Sequence, residues 1–264
     1  MKRSTLWTLI LMLLWPLTAF SWEEKPAIAE LFAQEGAKGT FVLCDVAENS
    51  CIGHNRARAE TRYIPASTFK IANALIGLST GAVKSVDDVL PYNGPAEPFI
   101  PEWKADMGLR RAMALSNVPI YQELARRIGL TRMREGLNVL RYGNRETGDD
   151  VTRFWLDGPL TISALEQAQF LAELVRGKLP LPTEVQASVR EILLLEEGTR
   201  WKLYGKTGWQ NAPGRGIGWW VGWVEQEGRE YAFALNIDIN EPSDAAKRLT
   251  LGKASLKLLG LITD

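Results

Sequence analysis

The spacing of hydrophobic residues changes twice along the chain, and these changes predict a sheet interrupted by a helical region. Residues 40–46 and 51–54 are apolar runs on either side of a polar turn, which predicts a two-stranded hairpin. Between about residue 61 and residue 195 the apolar positions recur every three or four residues, which predicts helices. After Gly198 the spacing becomes two and the connecting turns are short. This predicts three antiparallel strands at residues 201–207, 217–224 and 229–239.

Residues that begin or end helices refine this division. Ser163 with Glu166, and Thr183 with Gln186, have the spacing of a capping box, in which each side chain binds the backbone at the other position. They predict helices over residues 163–176 and 183–195. Apolar periodicity with Pro and Gly boundaries predicts further helices at residues 26–34, 67–81, 109–113, 119–129, 131–140 and 245–261.

These elements predict an α+β fold with a single catalytic domain at residues 22–264. We expect an antiparallel sheet of about five to six strands, flanked by terminal helices, with a helical lobe inserted between its two halves. The sheet lobe comprises residues 22–60 and about 196–264, and the helical lobe about 61–195. A functional site is expected in the cleft between the two lobes.

The first residues resemble an export signal. Two basic residues precede an apolar run at residues 6–17, and Ala19 and Ser21 supply the small-residue pattern of a cleavage site. The pattern predicts a signal peptide at residues 1–21, with an uncleaved anchor as the alternative. The run is short for a membrane span, so we expect no stable membrane anchor. The protein is then periplasmic if its source is a Gram-negative bacterium.

Charge and composition narrow the possible partners. The chain has 31 Lys and Arg and 31 Asp and Glu, interspersed along its length, so no nucleic-acid partner is expected. It has one histidine, His54, which argues against a histidine-based metal site and is expected to be structural. Cys44 and Cys51 fall on the two strands of the predicted hairpin, and export permits a disulfide between them. Assembly is expected to be a monomer or a homodimer.

The strongest chemical signal is Ser67-Thr68-Phe69-Lys70 at the start of an apolar helix. Pro65 fixes the helix start, and Ser67 and Lys70 share one helix face. A lysine in apolar surroundings has a lowered pKa, and its neutral amine can activate a serine nucleophile. By itself the motif also fits a core lysine whose stem packs against apolar neighbours while its amine reaches solvent.

Two later motifs favour the catalytic interpretation. Ser116-Asn117-Val118 lies in a turn between helices, and Lys206-Thr207-Gly208 lies on a strand. Together with Ser67-x-x-Lys70 they resemble the signature of the penicillin-recognising serine enzymes. The segments Tyr142-Gly143-Asn144, Phe154-Trp155-Leu156 and Trp219-Trp220-Val221-Gly222-Trp223 are similar to those of the class D, or oxacillinase-type, β-lactamases. This resemblance covers essentially the whole mature chain.

The resemblance implies a role for each residue. Ser67 would be the nucleophile, and Lys70, carboxylated by CO2, the general base with a hydrogen bond from Trp155. Ser116 and Lys206 would pass a proton to the leaving nitrogen, and Thr207 and Arg248 would bind the substrate carboxylate. Gly208 and Trp209 would line the substrate path, with Val118 and Leu156 shielding the base from water. The resemblance also implies a Cys44–Cys51 disulfide, no metal and no dissociable cofactor.

Three functions use these residues: hydrolysis of β-lactam antibiotics, a cell-wall D-alanyl-D-alanine peptidase, and a β-lactam sensor domain. The segments around Tyr142 and Trp155 favour the hydrolase. The sensor requires membrane-spanning segments that the sequence after the signal does not predict.

Overall fold

The structure is a computed structural model that describes residues 21–48, 50–211 and 216–263. The predicted signal peptide lies outside these residues except for Ser21, which begins the first strand. Part of the turn predicted after Gln210 lies outside them as well.

A seven-stranded sheet forms the centre of the fold, in the order β1-β3-β2-β9-β8-β7-β6. Neighbouring strands are antiparallel except β1 and β3, which are parallel. Strands β4 and β5 form a separate pair. The strands are β1 (Ser21–Glu24), β2 (Gly39–Asp45), β3 (Ser50–His54), β4 (Arg62–Tyr63), β5 (Ile162–Ser163), β6 (Leu194–Glu197), β7 (Trp201–Gln210), β8 (Gly216–Gln226) and β9 (Arg229–Ile239).

Helices cover both faces of this sheet. Three short 3-10 helices, Ala66–Phe69, Pro101–Trp103 and Pro242–Ala246, join longer elements. The α-helices are α1 (Pro26–Gln34), α2 (Arg56–Glu60), α3 (Lys70–Ser79), α4 (Leu109–Ala114), α5 (Val118–Ile128), α6 (Leu130–Leu140), α7 (Ala164–Val175), α8 (Thr183–Glu191) and α9 (Lys247–Leu258).

The predicted α+β fold is confirmed, with strands β1 and β6 extending the sheet at its two edges. Residues 192–195 were predicted as the end of a helix, but α8 ends at Glu191 and Leu194 pairs with Tyr204 of β7. The exposed edge of β7 supplies backbone partners that a helix-like sequence pattern does not reveal.

One of the two predicted capping boxes is present. Ser163 Oγ accepts from the Glu166 backbone N–H at 3.1 Å, and Glu166 Oε2 accepts from the Ser163 backbone N–H at 2.9 Å. The second box is wrong, because Pro182 takes the cap position of α8 and Thr183 is already the first helical residue. The pattern recurs there without the geometry that a cap requires.

Alternation along the strands places the sheet between two apolar cores. In β8, Trp219 and Trp223 are buried against the helical lobe, whereas Trp220 is buried on the opposite face under α1 and α9. The terminal helices therefore cover one face, as the sequence predicts, and the inserted lobe covers the other. Among the helices of the described ranges, none is long and apolar enough to cross a membrane.

The N-terminal hairpin carries the predicted disulfide. Cys44 and Cys51 are register partners on β2 and β3, and their sulfur atoms are bonded. Both side chains are buried at the edge of the larger core. The bridge therefore fastens β3 to the central strands of the sheet.

We expect the bridge to contribute stability and not turnover. It closes a loop with a sequence separation of 7 residues, which in the chain-entropy model corresponds to about 2–3 kcal/mol. Chemical denaturation of oxidised and reduced wild-type protein should show this difference, and initial rates should not change. Equal stability of the two forms would contradict the prediction.

Candidate active site

A cavity of about 360 Å³ lies between the helical lobe and the edge of the sheet. It brings together residues from the 3-10 helix before α3, the start of α5, the end of β7 and the start of α9. None of the described residues that line it is acidic. Its lining residues are Ser67, Phe99, Ile100, Trp103, Ser116, Val118, Leu156, Thr207, Gly208, Trp209, Asn211 and Arg248.

Ser67 and Lys70 form a close pair at the base of this cavity. Ser67 lies in the 3-10 helix, and Lys70 begins α3, so their side chains meet across one turn with Nζ 2.7 Å from Oγ. Lys70 is fully buried, and its Nζ lies 5.5 Å from the centre of the Tyr121 ring. Burial, with the charge of Lys206 as a second cause, holds the pKa of Lys70 well below its usual value. The amine is therefore poised to be neutral.

Aromatic side chains pack around Phe69, the residue directly before Lys70. Phe69 packs edge-on against Tyr142 and Phe154, with ring centres 5.6 and 5.1 Å apart, and lies 5.3 Å from Trp155. Trp155 is fully buried, and its Nε1–H has no hydrogen-bond partner among the described residues. Leaving a buried donor unpaired is unfavourable, so this N–H is available to an acceptor.

The turn before α5 contributes Ser116 and Val118 to the cavity. Ser116 has a positive φ of 53°, which is uncommon for a residue with a Cβ. The next residue, Asn117, fixes this turn: its side chain accepts from the Ile120 N–H at 3.1 Å and donates to the Trp103 carbonyl at 3.0 Å. Val118 and Leu156 are both half-buried at the cavity wall.

Lys206 lies behind the cavity wall and is nearly buried. Its Nζ donates to the Thr207 carbonyl at 3.0 Å, and among the described residues no hydrogen bond joins it to Ser116. Burial, and secondarily the Arg248 guanidinium, lower the pKa of Lys206 to about 7. Such an amine can gain or lose a proton near neutral pH. The predicted pairing of Ser116 with Lys206 stays a prediction, because no hydrogen bond joins these two described residues.

Gly208 brings β7 against the turn that carries Ser67. A Cβ at this position would lie 2.9 Å from the Pro65 carbonyl oxygen and 3.1 Å from Thr68 Cγ2. The neighbouring turn takes up the space that a side chain would fill at this position. Glycine is needed here because two backbone segments of the site are in contact.

Arg248 gives this end of the cavity a positive charge. Its Nη1 donates to the Gly208 carbonyl at 3.1 Å, while its Nε is buried without a partner among the described residues. Burial lowers the pKa of Arg248, yet a guanidinium stays charged at neutral pH. A cavity with this cation, apolar walls and no acidic lining residue suits an anionic ligand that has an apolar part.

Several residues of the site were not singled out from the sequence. Phe99 and Ile100 line the cavity from a loop, where no regular spacing reveals a shared site. Asn73 could have been found, because it follows Lys70 by three residues on the same helix face. Its buried amide donates to the Tyr121 carbonyl at 3.1 Å and ties α3 to α5.

Comparison with known proteins agrees with this geometry. Residues 39–256 match the penicillin binding protein transpeptidase domain, so fold and site define a penicillin-recognising serine enzyme. The chain is 41% identical to β-lactamase OXA-5 of Pseudomonas aeruginosa, over 88% of this chain and 87% of that protein. It is 37% identical to β-lactamase OXA-48 of Klebsiella pneumoniae, over 92% and 91% of the two chains.

Solved structures give the same family. The crystal structure of FUS-1 (OXA-85), a class D β-lactamase from Fusobacterium nucleatum subsp. polymorphum, matches with a TM-score of 0.88 and 42% identity. The match covers 91% of this chain and all of the other. The protein belongs to the class D β-lactamases, and the resemblance drawn from its sequence is confirmed.

The contact at Gly208 predicts a loss of turnover. In Gly208→Ala the new methyl group pushes β7 away from the Ser67 turn, so we expect turnover to fall roughly 10- to 100-fold. Stability should fall by about 1–3 kcal/mol, the usual cost of overpacking. Steady-state rates and thermal melting measure the two effects.

Gly136→Ala is a matched control. Its Cβ would lie 2.7 Å from Ile76 Cγ1, on a helix that does not line the cavity. We expect its melting temperature to change while turnover stays the same. Wild-type turnover in Gly208→Ala would mean that the strand contact does not set the geometry of the site.

Proposed function

We propose that this protein hydrolyses β-lactam antibiotics through an acyl-enzyme on Ser67. The observation that carries the proposal is the buried Lys70 amine 2.7 Å from Ser67 Oγ, at the base of a cavity that suits an anionic, partly apolar ligand. β-Lactams have this character, since they combine a carboxylate with apolar substituents. The names of the relatives support hydrolysis as the outcome.

The first step is attack of Ser67 Oγ on the lactam carbonyl, with its proton passing to the base beside it. The developing oxyanion needs donors that are already in place. The backbone N–H groups of Ser67 and Trp209 serve this purpose in the proposal, because the contact at Gly208 brings their two segments together.

The leaving nitrogen and the substrate carboxylate use the other end of the cavity. Lys206, whose pKa is about 7, can hold a proton and pass it through Ser116 to the nitrogen as the ring opens. Thr207 and Arg248 bind the carboxylate, and the unpaired Nε of Arg248 is available for a second bond.

Lys70 is further proposed to be carboxylated by CO2, with no dissociable cofactor. A neutral amine can form an N–C bond to CO2 and lose a proton to solvent, and the resulting anion then needs donors in its apolar pocket. The unpaired Trp155 Nε1–H and the Ser67 hydroxyl fit this need, while Val118 and Leu156 shield the position from water. When present, the carboxyl group supplies an anionic general base for acylation and deacylation.

Export to the periplasm is also part of the proposal. The pattern of residues 1–21 supports it, and so does the Cys44–Cys51 disulfide, which persists in an oxidising compartment. The substrate is a small molecule, and the protein acts as a monomer or a homodimer.

The nucleophile can be tested by substitution. Ser67→Ala should form no covalent adduct with a penicillin, because no other hydroxyl lies within bonding distance of Lys70 among the described residues. Intact-mass spectrometry measures the adduct, and circular dichroism checks that the fold is kept. An adduct on this variant would contradict the assignment of Ser67 as the nucleophile.

The state of Lys70 predicts a dependence on pH and bicarbonate. Its pKa is lowered, so the amine is neutral above the lowered value and becomes charged as the pH falls through it. A charged amine cannot hold CO2, so turnover should decline as the pH falls through this lowered pKa and recover partly when bicarbonate is added. Turnover that bicarbonate does not change at acid pH would favour a plain lysine base, as in the peptidases.

Trp155→Phe tests the donor in this pocket. It removes the N–H but keeps most of the ring, so the affinity for CO2 should fall roughly 10- to 100-fold, the value of a hydrogen bond to a charged group. Acyl-enzyme should then accumulate at low bicarbonate, as seen by intact mass.

Trp223→Phe is the matched control, since the Nε1–H of the fully buried Trp223 donates to Glu225 Oε1 at 3.3 Å, outside the cavity lining. It should lower stability without changing the dependence on bicarbonate. If the two variants show the same dependence on bicarbonate, Trp155 has only a packing role.

A further inference from the structure

The turn that carries Ser67 is held in an unfavourable conformation. We call residues 65–69 the nucleophile turn. Ala66, directly before Ser67, has a φ of +49°, which few residues with a Cβ adopt. Such a conformation persists only where the surrounding structure fixes it. The contacts that fix this turn therefore also fix the position of Ser67.

The Thr68 side chain provides the local contact. Its Oγ1 donates to the Pro65 carbonyl at 2.8 Å, and its backbone N–H donates to the same oxygen at 3.2 Å. The two bonds close the turn around Ala66. Thr68 is fully buried, so solvent cannot replace either of them.

Gln167 adds a contact from a distant part of the chain. Its Nε2 donates to Thr68 Oγ1 at 2.8 Å, and its side chain is also fully buried. Because the Thr68 hydroxyl proton is already donated to Pro65, this oxygen can only accept from Gln167. Gln167 therefore donates to Thr68, and Thr68 donates to Pro65, while the buried Tyr142 hydroxyl lies beside both Thr68 and Gln167.

The residues around Gln167 make it a rigid anchor. It follows the capping box that begins α7, and α7 packs on the central strands β2 and β9. Strand β5, just before α7, pairs with β4, which leads directly into the nucleophile turn. The Gln167 amide thus connects the turn to an element whose position the sheet determines.

The other end of this series of hydrogen bonds, the Pro65 carbonyl, lies close to β7. The Pro65 carbonyl oxygen is the atom nearest to a Cβ placed on Gly208, at 2.9 Å. The atom that Thr68 holds is therefore also the one that sets how closely β7 approaches Ser67. A shift of the turn would change the distance between the two backbone N–H groups that the proposed function assigns to the oxyanion.

We propose that Gln167 is a positioning residue for acylation, which acts through Thr68 and Pro65 to hold Ser67 against the oxyanion donors. This inference rests on the proposed function, since it concerns the same nucleophile. Gln167 does not line the cavity and touches no substrate. Its removal should slow the chemical step and leave binding of the intact substrate almost unchanged.

The test uses two variants of similar size that lack the hydrogen bond, Gln167→Met and Thr68→Val. Stopped-flow acylation by a chromogenic β-lactam should be roughly 10- to 100-fold slower in each, as expected for a small misplacement of the nucleophile. The dissociation constant of the complex before acylation should change less than about threefold. Thr68→Ser keeps the hydroxyl and should recover most of the lost rate.

The double variant tests whether the two residues act as one unit. If Gln167 acts only through Thr68, Gln167→Met adds little to the loss in Thr68→Val. If the acylation rate of the double variant falls by the product of the two single losses, the proposal is overturned, because Gln167 would then act independently of Thr68.

Gln186→Met separates positioning from stability. Gln186 is equally buried, and its Nε2 donates to the carbonyls of Leu181 and Leu179 at 2.8 and 3.0 Å, in a loop that does not line the cavity. It should lower the melting temperature as Gln167→Met does, with an acylation rate within about twofold of wild type.

The outcomes are distinct. Wild-type acylation rates in both Gln167→Met and Thr68→Val would overturn the positioning role. If Gln167→Met does not fold, the comparison of Thr68→Val with Thr68→Ser decides the question, and equal rates for those two overturn it. A wild-type protein that β-lactams do not acylate would instead refute the proposed function.

Discussion

Burial of one lysine amine is the constraint on which the rest of the site depends. A charged ammonium in an apolar core is expensive, so the folded protein lowers the pKa of Lys70 and favours the neutral base. The amine lies over the Tyr121 ring, and Trp155 packs against Phe69, the residue before Lys70. The Trp155 N–H is also buried and has no partner among the described residues, and the proposed function assigns it to the carboxyl group on Lys70.

The part of β7 that extends beyond its pairing with β6 supplies the second half of the site. Strand β7 is long and carries Lys206, Thr207, Gly208 and Trp209 in succession along its backbone. Because Gly208 lacks a side chain, the strand lies directly against the nucleophile turn, and Arg248 binds its carbonyl from α9. The two lobes therefore meet through backbone contacts, which hold distances more firmly than long side chains do.

Charge within the cavity follows from the same arrangement. The charge of Lys206 helps to lower the pKa of Lys70, the charge of Arg248 helps to lower the pKa of Lys206, and burial is the main cause for all three residues. No acidic side chain among the described lining residues neutralises them. In the proposed function the carboxylate of the substrate would offset the positive charge of Lys206 and Arg248, and Lys206 would also supply a proton.

The sequence by itself determined the local elements and the residue types of the chemistry. Periodicity located three long strands and the helices other than α2. The motifs at Ser67, Ser116 and Lys206 indicated a penicillin-recognising enzyme, and the segments around Tyr142, Trp155 and Trp219 indicated class D. Local patterns could not reveal β6, whose exposed leucines pair with an open edge, nor the false capping box at Thr183. Only the tertiary structure decided that Gly208 makes room for a turn, and that Gln167 reaches Thr68 from another helix. Such contacts join residues far apart in the chain, and their distances depend on the packing of the whole sheet.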